Sequence, residues 1–415
     1  MRAEWAKQLS RAFLLLLGVV VVLPALAHGE RNQEPFLRMR TAHFYDVKWS
    51  ADKIAVNDEV VVTGRFRLFE DWPMNLPQPD RVFVGNGTPG PVLARTESYL
   101  NGHAAIQSGK LMLDRDYEFK TVLKGRIPGR HHVHPMVNVE GAGPLLGPGS
   151  WVEISGDHRD FKLPLTTLDG TKIEDLETWG VANVVRWEGF WLLTALVFAG
   201  WWLRRPLLMT RYRALHEGHE AALVTRGDRL WAAAFLTGTV LTVFAGAHWA
   251  ENRYPRTIPL QAGQFRIDPL PKDEHEINIQ VKRATYDVPG RSMKMTLVIH
   301  NPLPHPVQMG EFMTAGLRFV NHELPAAMAQ VDARYPAELL PRTGLTLHDK
   351  APIAPGETRT VNIEATDAVW ETERLTSLLT DPDNRVGGLL FFFDDAGERH
   401  IANLSGAIVP VFIGS

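Results

Sequence analysis

The clearest chemical potential in this sequence lies in its histidines. The string Arg130-His131-His132-Val133-His134-Pro135 contains a His-x-His step. In an extended strand alternate side chains share a face, so His132 and His134 project together while His131 points away. Two imidazoles presented this way suit one metal ion, although a polar strand surface carries the same letters. A further nitrogen source lies near the start, where Ala25-Leu26-Ala27 forms a small-x-small pattern directly before His28. Cleavage there makes His28 the first residue, with a free α-amine and a ring nitrogen able to chelate one metal. An α-amine titrates at about 7.7–8.0, so a metal displaces its proton near neutrality. With His132 and His134 the donors are all nitrogen. Imidazole and amine donors with open positions suit copper, and Cu(II) tops the divalent affinity series. Zinc is the alternative, but a three-imidazole zinc site needs no processing step immediately before a histidine.

Composition narrows the chemistry further. The 415 residues include 16 histidines and no cysteine. This excludes disulfide frameworks, iron–sulfur clusters, thiolate haem, cysteine nucleophiles and the His₂Cys blue-copper centre. A formal charge of -3 makes nucleic acid a poor electrostatic partner. His216 and His219 could share a helical face at i, i+3, and a solvated surface pair accounts for them.

The elements that must position these residues follow from hydropathy. Residues 1–27 carry the basic start Arg2, Lys7 and Arg11, an apolar stretch over 12–23, and the small-residue site. This is the tripartite pattern of a cleaved signal peptide. Two later apolar stretches, 184–203 and 230–250, are long enough to cross a bilayer, which needs about 20 residues. Each is edged by tryptophan: Trp187, Trp201 and Trp202 on one, Trp231 and Trp249 on the other. The segment between them holds Arg204, Arg205, Arg211, Arg213, Arg226 and Arg229, which places it in the cytoplasm by the positive-inside rule. Both flanking regions then face the periplasm.

Those flanking regions read as short strands separated by turns. In the first, extended runs are expected over 59–66, at Met112-Leu113 and over 117–122, with turns at 85–91 and 143–149. In the second, strands are expected over 291–301 and 358–365, with a hairpin over 389–404. A helix is expected over 367–379, capped by Asp367 and stopped before Pro382. The sequence therefore predicts a mainly β protein of two sandwiches joined by two transmembrane helices. The boundaries are 1–27 for the leader, 28–180 for the first domain, 181–254 for the spans and their loop, and 255–415 for the second domain.

At this level of detail the chain resembles a known family. Its strings His28-Gly29-Glu30-Arg31-Asn32-Gln33-Glu34-Pro35-Phe36-Leu37-Arg38-Met39-Arg40-Thr41 and Pro128-Gly129-Arg130-His131-His132-Val133-His134 are similar to those of the B subunit of the particulate methane and ammonia monooxygenases. So are 143–149 (GPLLGPG), 258–263 (IPLQAG) and 387–393 (GGLLFFF), in the same order and with the same two-span layout. The resemblance implies two cupredoxin-like domains and a copper site made by His28, through its amine and ring, with His132 and His134. It implies A and C partner subunits, assembled as a trimer of three-chain protomers in a bacterial inner or intracytoplasmic membrane. The implied reaction uses O₂ to hydroxylate ammonia to hydroxylamine or methane to methanol.

The chain also departs from the family. Some members hold a further copper with two histidines of the first domain. His43 matches one of them and reads either as a further metal ligand or as a hydrogen-bonded histidine beside the main site, because Arg67 stands at the other position, and a protonated guanidinium cannot ligate a metal. Asn403 falls near where some relatives place a glutamine approaching this region from the second domain, and reads as a weak contact or as a turn-facing amide. Arg126 to His132 and Arg399 to Phe412 lean toward the ammonia-oxidising branch, with methane or a longer alkane as the alternatives. No catalytic residue is assigned, and nothing in this chain supplies a redox relay. The rival reading is a non-catalytic copper-binding scaffold for the A and C subunits, with the active site elsewhere in the complex. A periplasmic copper chaperone is a third reading, though a chaperone has little use for two sandwiches on two spans.

Overall fold

The computed structural model describes residues 39–167, 170–205, 208–254, 264–272, 275–366 and 384–412. The leader, His28 and the helix expected over 367–379 lie outside the described residues. The described chain falls into two compact units, residues 162–262 and the remainder.

The larger unit contains two β-sandwiches. In the first, one sheet runs in the order Ala42–Trp49, Glu59–Leu68, Arg115–Gly125, Leu93–Leu100, His103–Ala104. Alternation builds it: Val60, Val62, Phe66 and Leu68 are buried, while Glu59 and Arg65 face outward. Gly64 takes an inward position in this alternation, where its missing side chain leaves room for the Phe119 ring, 2.9 Å from where a Cβ would sit. The facing sheet runs Gln264–Arg266, Ser108–Lys110, Val82–Gly87, Gly129–Val139, Ser150–Ser155, Lys53–Ala55, and Gly143–Leu146 also pairs with Gly129–Val139. Its inward residues Val133, Val137 and Val152 meet Phe44 and Phe66 in one core.

Three local expectations need correction. Met112-Leu113 is not a strand: the Met112 N–H donates to the Tyr117 hydroxyl at 2.9 Å and so leaves the ladder. Gly85 to Gly87 belong to a strand and not to a turn. Their bare backbones admit Arg95, Met136 and Leu146, each within 3.3 Å of a built Cβ. Gly143 to Leu146, likewise expected in a turn, pair with 136–139.

The strand Gln264–Arg266 has no counterpart among the expected elements. It lies C-terminal to both apolar helices, yet it pairs in parallel with Ser108–Lys110, and Phe265 and Ile267 enter the first core. The chain thus returns to the first sandwich before it starts the second.

The second sandwich packs the sheet Leu345–Leu347, Thr358–Thr366, Ser292–His300, Asn278–Asp287, Val409–Val411 on the sheet Leu317–Val320, Val307–Thr314, Arg385–Asp394, Arg399–Ala407. The strands expected over 291–301 and 358–365 and the hairpin over 389–404 are present. Arg385–Asp394 is buried along both faces, which explains its unbroken apolar run. Leu390 and Phe392 point into their own core, while Leu389, Phe391 and Phe393 pack in a cluster with Tyr45 of the first sandwich.

Polar contacts reinforce that junction. The Arg334 guanidinium donates to the Trp49 carbonyl at 2.9 Å, Arg385 pairs with Asp71 at 2.6 Å, and Arg399 pairs with Asp46. Burial alone would raise the Asp46 carboxyl, but hydrogen bonds and charge from Arg399 hold it below the usual range. Gly387 comes so close to the first sandwich that a Cβ would lie 2.4 Å from the Met39 carbonyl oxygen.

The smaller unit contains the helices Val181–Leu203 and Arg226–Arg253, which include both expected spans and are long and apolar enough to cross a membrane. Trp201 meets Trp231, and Phe198 meets Phe235, with ring centroids 5.0 Å apart in both pairs. A polar knot closes one end of the hairpin. Thr225 and Asp228 form a capping box at the start of the second helix, and Asp228 also accepts from Arg205 and Trp201. His216 and His219 are exposed on the short segments between the helices.

Candidate metal centre

His132 and His134 leave the strand Gly129–Val139 on the side opposite Val133 and Val137, so they stand on the outer face of the sheet. His134 is nonetheless buried, at 3% exposure. The covering segment is 147–149, which follows the paired strand Gly143–Leu146. His134 Nδ1 lies 2.9 Å from the Gly147 carbonyl oxygen. A carbonyl can only accept, so Nδ1 carries the proton and Nε2 presents a lone pair. That Nε2 lies 3.0 Å from His132 Nδ1, and the two rings are nearly perpendicular at 88°.

The nitrogen spacing has a direct chemical reading. Two ligands at right angles, each roughly 2.1 Å from one ion, stand about 3.0 Å apart. The 3.0 Å contact is a hydrogen bond between the two rings, and the same spacing fits adjacent ligands of a single metal. Gly149 makes this approach feasible. A Cβ there would lie 2.5 Å from His134 Cε1 and 2.8 Å from His132 Cε1. Trp151, opposite His132 in the strand register, flanks it with ring centroids 4.8 Å apart. The Arg130 guanidinium in turn covers Trp151 at 4.4 Å.

His43 does not join this pair. It leaves the strand Ala42–Trp49 on the outer face of the opposite sheet, since its neighbour Phe44 fills the first core. It stands instead at the junction with the second sandwich, at 2% exposure, with Nε2 donating to the Met39 carbonyl at 2.8 Å and its ring edge-on to Phe69. Burial drives its pKa down to about 4, the Met39 bond opposes this, and the charge of Arg67 lowers it further. Its Nδ1 has no hydrogen-bond partner among the described residues.

Arg67 lies directly across the strand pair from His43. It is committed to Asp116, with Nε 2.9 Å from Oδ1 and a second contact from Nη2, and Nη1 donates to Asn403 at 3.1 Å. Tyr45 donates to the same Asp116 carboxylate at 2.7 Å. A fixed positive charge thus fills the position beside His43, and Asn403 serves that arginine and Asp114 rather than a metal.

The sequence pointed to the imidazole pair but not to what shapes it. Gly147, Gly149 and Trp151 contact the pair, and the prior signal was the glycine- and proline-rich run over 143–149. A further group gathers in the second sandwich, where His305, Asp394 and His400 bring one ligand atom each within 4.8 Å of the others.

Comparison with known proteins agrees with the resemblance drawn from the motifs. Residues 29–412 match the family of monooxygenase B-subunit proteins. The particulate methane monooxygenase alpha subunit of Methylococcus capsulatus (Bath) is 42% identical over 390 residues, covering 94% of this chain and 93% of that one. Among solved structures, the cupredoxin domain of amoB from Nitrosocaldus yellowstonii is 17% identical with a TM-score of 0.24, covering 29% of this chain and 91% of that one. Matched along nearly its whole length, the chain belongs to the monooxygenase B-subunit family and is one component of a particulate methane or ammonia monooxygenase, an oxidoreductase.

Proposed function

We propose that this chain is the copper-binding component of its complex, with copper held by the amine and ring of His28 and by His132 and His134. The observation that carries this reading is the 3.0 Å separation of His132 Nδ1 and His134 Nε2, with the His134 tautomer fixed by the Gly147 carbonyl. Orientation of a ligating histidine through its other ring nitrogen is a regular feature of metal sites. The donor set suits copper: it is all nitrogen, and the chain holds no thiolate. Copper, when bound, supplies the one-electron redox chemistry that oxygen insertion requires. The protein's own contribution is positional. The strand sets the two imidazoles on one face, Gly149 lets them approach, and Trp151 limits water access from the flank.

Removal of residues 1–27 supplies the third ligand, and the two long helices anchor the chain with both sandwiches in the periplasm. The assembly is a trimer of protomers, each containing this chain with A and C subunits, and it hydroxylates ammonia or methane with O₂. The test uses the assembled complex. His132→Ala with His134→Ala should remove copper from this chain and abolish turnover. Loss of copper with turnover retained would assign the chain to the scaffold role instead. A mature start other than His28, read by mass spectrometry, would sink the chelate.

A further inference from the structure

We propose that His305, Asp394 and His400 form a second metal site, on the second sandwich, which takes a divalent first-row ion through two imidazoles and one carboxylate. The three residues come from different parts of the fold. His305 shortly precedes the strand Val307–Thr314, Asp394 ends Arg385–Asp394, and His400 lies near the start of Arg399–Ala407. Strand register brings them together: Asp394 lies opposite Val307, and His400 opposite Phe392. The group therefore sits at the end of the second core, just beyond Phe392 and Val307.

Its distances are informative. His305 Nε2 and His400 Nε2 lie 3.7 and 3.8 Å from the same oxygen, Asp394 Oδ2. Both separations are too long for a hydrogen bond. They are close to the roughly 3.3–3.6 Å that separates ligands around a three- or four-coordinate ion with bonds of about 2.1 Å. His400 Nε2 is buried and has no hydrogen-bond partner among the described residues. A buried polar atom of this kind is costly to leave unsatisfied, and an ion at this point would satisfy it.

The surroundings orient the donors. Asp394 Oδ1 accepts from the Glu398 N–H at 2.8 Å, which turns Oδ2 toward the histidines. The loop bearing His305 is fixed by the fully buried Asn301, which donates to the His305 carbonyl at 2.9 Å and to the Ile353 carbonyl at 3.0 Å. The His305 side chain is 42% exposed, leaving an entry path and an open position on the solvent side. This chemistry differs from that of the first site, because a carboxylate oxygen replaces the amine. Two nitrogens and one oxygen accept zinc or copper(II).

The experiment uses the intact complex, washed with chelator and then reloaded separately with Zn(II) or Cu(II). Metal per protomer is counted by mass spectrometry for the wild type, His305→Ala, Asp394→Asn, and the His132→Ala, His134→Ala double variant. The expected result is a loss of one equivalent per protomer in His305→Ala and in Asp394→Asn, with the double variant keeping that equivalent. Because His305 is nearly half exposed, its removal tests the site without emptying the core. An unchanged count in both His305→Ala and Asp394→Asn, for both metals, overturns the proposal. So does the loss of this equivalent in the double variant.

Discussion

Gly149→Ala offers a sharp test of how the imidazole pair is held. Its φ lies outside the left-handed region, so alanine meets no backbone penalty, and its effect falls on what its methyl touches. The built Cβ lies 2.5 Å from His134 Cε1, 2.7 Å from His134 Nδ1 and 2.8 Å from His132 Cε1. Comfortable carbon contacts begin near 3.5 Å, so the rings must retreat by about 0.7–1 Å. The His134 ring cannot move that far and keep its 2.9 Å bond to the Gly147 carbonyl. Overpacking of this kind costs about 1–3 kcal/mol, and loss of a ligand's orienting bond typically weakens metal affinity about 10–100-fold. The assay is copper content and competition affinity of the purified complex, with the Cu(II) paramagnetic resonance spectrum as a report on ligand geometry. We expect affinity to fall at least tenfold and the spectrum to change, while Gly149→Ser behaves at least as badly. Affinity within twofold of wild type, with an unchanged spectrum, would refute the claim that this glycine sets the site.

Three other predictions concern the junction between the sandwiches. His43 is neutral in the folded protein, with a pKa near 4, whereas the unfolded chain protonates it near 6.5; stability therefore falls as pH drops from 6.5 through 4, by up to about 3 kcal/mol. In denaturant titrations, His43→Gln should remove that share of the acid dependence, and identical pH profiles would contradict it. Arg67→Met should cost about 3 kcal/mol, since it strands the Asp116 carboxylate beside Tyr45; a loss of stability below about 0.5 kcal/mol would show that the pair is not structural. Gly387→Val should destabilise by more than about 2 kcal/mol, because the new side chain meets the Met39 carbonyl and the Phe69 ring at 2.4 and 2.7 Å; recombinant yield and melting temperature report it, and wild-type melting would disprove it.

The parts of this molecule legible in its sequence are those written in local periodicity. Alternation over Glu59–Leu68 and the hairpin through Asp394 to Arg399 could be read directly, because strand faces and turns follow from neighbouring residues. Apolar length marked the two helices, and the His-x-His step marked the imidazole pair. What stayed hidden is non-local. Nothing in Gln264–Arg266 announces a parallel partner in Ser108–Lys110. His305 lies far in sequence from Asp394 and His400, so no spacing rule joins them, and only strand register does. The role of Gly149 was invisible for a related reason, since a glycine in a turn-like run looks the same whether it eases a bend or admits two rings. That His43 is hydrogen-bonded was legible, but its place at the junction was not, because a strand pattern does not say which sheet face meets which neighbour.

The late strand Gln264–Arg266 bears on how the protein is made. With the proposed topology, export delivers the first sandwich to the far side of the membrane well before residues 264–266 are synthesised, since both apolar helices must be threaded in between. Until then Ser108–Lys110 presents an open edge, with backbone N–H and C=O groups free to pair with another chain. Under that topology the nascent polypeptide passes through a stage in which its first sandwich is nearly complete but adhesive along one border. Under that topology, insertion of the helical hairpin ends that stage by bringing the closing strand back, which couples the finishing of the first sandwich's sheet to membrane insertion.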